Sequence, residues 1–142
     1  MRARNETLSA ASAALEQALA VGANPTPGWA VQVEDALSRV ERAAHRQDAG
    51  LYAPTGGAVD IDSSQTPSPG LQRRLDSLHD DLGSLQARAR TLQGLARHAP
   101  ERTAAVDLHR HAAALLDAVR RYEREEARLI LDSVTVEVGA GD

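Results

Sequence analysis

Cysteine, phenylalanine and lysine are all absent from this chain of 142 residues, and only Trp29, Tyr52 and Tyr122 carry aromatic rings. Without cysteine there is no disulfide, no thiol nucleophile and no thiolate-bound zinc. So few rings, set against abundant Ala, Leu and Arg, remove the usual material of a β-sheet and favour helices packed on helices. The basic residues are all arginine, as a GC-rich coding bias would give, and they are scattered rather than gathered. With a net charge of −4 this argues against a nucleic-acid partner. No apolar run reaches membrane-spanning length, and Glu16 and Gln17 interrupt the Ala-rich opening where a secretion signal needs an apolar centre. The expected partner is therefore not a membrane, and the expected compartment is the cytoplasm. Neither a Gly-x-Ser-x-Gly turn nor a glycine-rich phosphate loop is present, so no enzyme is expected.

What the chain does contain is hydrophobic spacing of helical period. Leu8, Ala11, Leu15 and Ala18 predict a first helix that stops at Gly22, before the breakers Asn24 to Gly28. Val33, Leu37, Val40 and Ala44 predict a second, starting at Trp29 and fading at Asp48-Ala49-Gly50, with Glu41 and His45 beside its seam. Residues 49–68 hold Pro54, Gly56-Gly57, Ser63-Ser64 and Pro67, the composition of a long crossover loop. Ser68 as N-cap and Pro69 at the first helical position open a third helix, whose Leu71, Leu75, Leu78, Leu82, Leu85, Ala89 and Leu92 keep heptad spacing. His98-Ala99-Pro100 separates it from a fourth helix running to about Asp132. The alternating residues 133–142 have no partner strand and predict an extended tail laid across the bundle. The whole reads as one domain over 1–142, all-α, an antiparallel four-helix bundle.

The fourth helix carries the most informative stripe: Leu108, Ala112, Leu115, Val119, Tyr122, Glu126, Leu129. An acid on a buried stripe must neutralise, pair or bind a metal, because an unpartnered carboxylate out of water costs several kcal/mol at least. Tyr122 and Glu126, one turn apart on the same face, mark the place where chemistry is expected; the alternative is that helix drift carries Glu126 to the edge of the stripe, where it pairs with an arginine. The histidines signal less: His79 reads equally as a flank residue between Asp76 and Asp80, beside its apolar stripe. His109 and His111 diverge around the helix and read as surface residues, and His98 suits the negative end of a helix dipole.

The run Pro69 to Leu82, with spaced leucines and His79, resembles the third helix of bacterial hemerythrin-like bundles. Tyr122-Glu123-Arg124-Glu125-Glu126 resembles that family's His-x-x-x-acid segment, and Trp29, Gly50-Leu51-Tyr52 and the closing run from Val134 fall where some members have theirs. The resemblance covers nearly the whole chain. It implies the bundle fold and a metal site between the helices, with Glu41, His45, His79, Tyr122 and Glu126 at or beside the ligand positions and iron as the cofactor it would carry. It also implies depletion, since the first helix offers no histidine and Tyr122 stands where a ligand histidine would be. One histidine and a few oxygens make a poor di-iron site, although Glu41, His45, His79 and Glu126 offer donors for a single divalent ion. The leading expectation is a small cytoplasmic binding or sensing module with a depleted di-iron site. The alternatives are a helical interaction module, paired with itself or a protein partner through its third and fourth helices, and a metal-binding oxygen or redox protein with unusual ligands.

Overall fold

The computed structural model describes residues 6–24, 26–51, 68–98 and 101–140, with side chains described as far as residue 132. Four helices follow one another: α1 (Leu8–Leu19), α2 (Pro27–Gly50), α3 (Pro69–Ala96) and α4 (Arg102–Ala140). Each of the first three opens on a hydroxyl cap. Thr7 Oγ1 accepts from the Ala10 amide at 3.1 Å, Thr26 Oγ1 from Trp29 at 3.3 Å and Ser68 Oγ from Leu71 at 3.1 Å. Pro27 and Pro69 take first-turn positions, where a missing N–H costs nothing. α1 ends before Gly22, whose φ of 79° is the left-handed turn conformation that glycine adopts without a Cβ penalty.

Ion pairs and hydrogen bonds between helices fix the topology. Glu34 meets Arg97 and Glu41 meets Arg90, so α2 and α3 run antiparallel; Arg74 meets Asp132, so α3 and α4 do too. Glu16 with Arg120 and Glu6 with Arg39 set α1 antiparallel to both α4 and α2. Each helix thus lies beside its chain neighbours, and α1 closes the ring against α4. The four faces share one core built from the predicted stripes. It includes Leu15, Val33, Leu37, Leu75, Leu82, Leu108, Leu115 and Val119, and no polar or charged residue among those described is fully buried in it. No helix of the described residues is long and apolar enough to cross a membrane.

Two expectations about boundaries change. Residues 49 and 50 complete α2, so the predicted 49–68 loop starts later, and most of it, 52–67, lies outside the described residues. At the other end α4 continues to Ala140 where an extended tail is expected over 133–142. Val134, Val136 and Val138 alternate like a strand, but a strand needs a neighbouring edge for its backbone groups. A helix already nucleated satisfies them internally, one bond per added residue, at a β-branching cost of only a few tenths of a kcal/mol each.

Candidate functional site

Tyr122 points into the core from α4 and is 2 % exposed. Its hydroxyl donates to Glu126 Oε2 at 2.9 Å, one turn along the same helix. From α2, diagonally across the bundle, Gln47 Nε2 donates to the same carboxylate oxygen at 2.5 Å. Gln47 occupies that place because it continues the buried seam of α2: Val33, Leu37, Val40, Ala44, Gln47 and Leu51 keep alternating spacings of four and three. Glu126 likewise continues the seam of α4. Each seam therefore carries one polar residue, and the register of the helices sets the two together at the α2 C-terminal end. Glu126 is half-buried rather than sealed in. Burial, then the charge of Glu126 and the hydrogen bond to it, push the Tyr122 phenol far above its ordinary value, so this hydroxyl is a fixed donor at physiological pH.

The remaining predicted site residues go elsewhere. Glu41 faces α3, where Arg90 Nε donates to Oε2 at 3.0 Å and Gln93 Nε2 to Oε1 at 2.8 Å. His45 is exposed. His79, also exposed, sets Nδ1 2.5 Å from Asp48 Oδ1, and this hydrogen bond together with the Asp48 charge raises the imidazole above its usual value. Of Glu41, His45, His79, Tyr122 and Glu126, only the last two are joined. Among the described residues no group of three or more His, Asp or Glu is placed to hold a metal ion. The donor set does not fit the di-iron group that the hemerythrin-like resemblance implies.

Three residues carry roles that the sequence reading missed. Gln47 is one: the sequence reading offers the stripe acid an arginine or a metal, and the structure gives it an amide. Trp29 and His109 are the others: Trp29 Nε1 donates to Ala18 O at 2.9 Å, and His109 Nε2 lies 2.9 Å from Leu19 O. They come from α2 and α4 onto carbonyls of the last turn of α1, which the helix does not satisfy internally; Leu19 O also accepts the Gly22 amide at 3.0 Å. His109 is thus half-buried and structural rather than a surface residue. Its spacing from His111 gave no sign of this, because the partner is a backbone carbonyl far away in sequence.

On the outer side of Tyr122, a groove of about 520 Å³ runs between α3 and α4. Leu78, Leu85, Leu129 and the Tyr122 ring form its floor, Ser77, Ser84 and Ala118 leave it open, and Arg74, Arg88, Arg121, Asp81 and Glu125 line it with charge. No protein-family model, no curated protein and no solved structure matches the chain.

Proposed function

We propose that this chain is a hemerythrin-like helical bundle with a depleted metal site that acts, as a cytoplasmic protein, by binding a partner rather than by catalysis. The observation that carries this reading is the occupation of the candidate donors by other side chains. Glu126 Oε2 takes bonds from Tyr122 and Gln47, both Glu41 oxygens take bonds from α3, and His79 Nδ1 is held by Asp48. A carboxylate satisfied by amide and hydroxyl donors needs no cation, and removing it from those donors to ligate one costs their hydrogen bonds. The polar network then has a structural task, tying the end of α2 to α4. Among the described residues, the charged outer groove is a surface with the capacity to bind.

Metal analysis tests this directly. Protein expressed with iron supplied and purified without chelator should hold far less than one metal per chain, and its melting temperature should not move with added Fe(II) or Zn(II). Stoichiometric iron with an oxo-bridged absorption band, or a melting temperature that climbs with metal concentration, would overturn the depleted-site reading.

A further inference from the structure

The groove between α3 and α4 holds charges that the ion pairs within the chain use only in part. Past Arg74, which is held by Asp132 at 3.0 Å, a pair of carboxylates, Asp81 and Glu125, is followed along it by a pair of guanidiniums, Arg121 and Arg88. Asp81 lies within Coulombic range of both Glu125 and Arg121. Yet Asp81, Arg88 and Arg121 close no ion pair among the described residues, and Glu125 has only its neighbour Arg128 at 3.6 Å. A simple anion drawn to the arginines meets the carboxylates, and a simple cation meets the reverse. The pattern fits an occupant carrying the same two charges in opposite order. A second copy turned end for end carries them by construction, because a twofold axis between the two pairs sets arginines against carboxylates twice over.

That axis falls midway between residues 81 and 88, within about two residues of the midpoint of α3 (Pro69–Ala96), so the two copies overlap along nearly the whole helix. α3 is about 42 Å long at 1.5 Å per residue, and two helices side by side are about 20 Å wide. The face is therefore roughly 800 Å² per copy, the size of an ordinary stable interface. Ser84 lies at the axis and is short enough to let the backbones approach.

We propose that the α3/α4 groove is a homodimer interface in which Arg88 and Arg121 of each copy meet Asp81 and Glu125 of the other. It rests on reading the chain as an interaction module, and deepens that reading by naming the partner. Light scattering after size exclusion should give twice the 15.1 kDa chain mass, with a dissociation constant that rises with salt. Arg88→Glu/Arg121→Glu and Asp81→Arg/Glu125→Arg each set like charges across the interface, and each should weaken dimerisation at least about tenfold. Mixing the two variants should restore a dimer, because each then supplies the sign the other lacks. All four positions line an exposed groove, and unchanged helical circular dichroism would confirm that both variants fold. A wild type that stays monomeric at the highest soluble concentration overturns the proposal, as does a dimer that persists in both variants alone or fails to return on mixing. A monomer that takes up an acidic or basic peptide in the groove also overturns it, in favour of another occupant. Each of these results leaves the partner-binding reading standing, whereas stoichiometric metal in the same preparation overturns that reading instead.

Discussion

Replacing Tyr122 by Phe keeps the buried ring and deletes one oxygen, so it isolates the bond to Glu126 from the packing around it. Nothing polar is orphaned in the core, since Gln47 still donates to Glu126 and that half-buried carboxylate can take water in place of the phenol. A hydrogen bond to a charged group contributes about 1.5–3 kcal/mol, and the replacement by water argues for the lower part, about 1.5–2 kcal/mol lost at neutral pH. The phenol's raised value adds a second signature. In the unfolded chain Tyr122 ionises near its ordinary value of about 10, while in the fold it remains protonated well above it. A group whose folded value is raised gives stability that is fully present below the unfolded value. That stability is lost as pH rises through the window up to the folded value, by as much as about 1.4 kcal/mol per pH unit. Tyr122→Phe carries no such loss. The variant should be less stable at neutral pH, draw level about one unit above the ordinary tyrosine value, and be the more stable protein beyond it. Urea unfolding of both proteins across that range, with unchanged m-values, measures the crossing. Parallel stability curves with no narrowing at high pH would show that Tyr122 is not buried as a donor to Glu126, and would remove the network from the account.

Leu82 is fully buried at the centre of α3, so Leu82→Ala should cost about 2–5 kcal/mol by denaturant unfolding. Gly83 is exposed in the same helix, lacks the left-handed conformation that would call for glycine, and an added Cβ there meets nothing within 4 Å. Gly83→Ala should therefore stabilise by about 0.5–1 kcal/mol, and a lowered melting temperature would show that something packs over it. Asp48 raises His79, so this pair supports the fold fully below the ordinary histidine value and its contribution disappears as pH rises through the raised one. Asp48→Asn should flatten that part of the pH dependence of melting, and an unchanged profile would place the titration elsewhere.

Sequence spacing located all four helices because each buries one face, and one buried face leaves a period of three and four that needs no knowledge of the partner helix. The Ser68-Pro69 start was legible for the same local reason, since a cap is written within four residues. Legibility failed where the pattern within a segment does not decide its conformation. Residues 133–140 alternate like a strand, and only their continuation from α4 decides that they are helical. His109 reads as a surface residue because Leu19 O, the carbonyl it meets, lies 90 positions away.

The candidate site divides along the same line. That Tyr122 and Glu126 share a face is a property of one helix, and the sequence states it. Whether Glu126 holds a metal or a hydrogen bond depends on which side chains face it from α2 and α3, and that is a matter of register. The sequence reading offers His79, one of the few histidines near a stripe, and passes over Gln47, a polar residue on the seam itself. An imidazole beside a seam is free to turn outward to a carboxylate, as His79 does to Asp48, whereas a residue on the seam is carried inward whatever its chemistry. Position on the buried period therefore outranks ligand chemistry when the facing helix is unknown. By that criterion the partner of an acid on one seam is the polar residue on another. Here the two meet as amide and carboxylate, a pairing that fixes helix register without a cation. The double-mutant cycle of Gln47→Leu with Glu126→Leu tests it: a coupling of about 1 kcal/mol or more is expected between them, and additive effects would mean that the two seams meet without recognising each other.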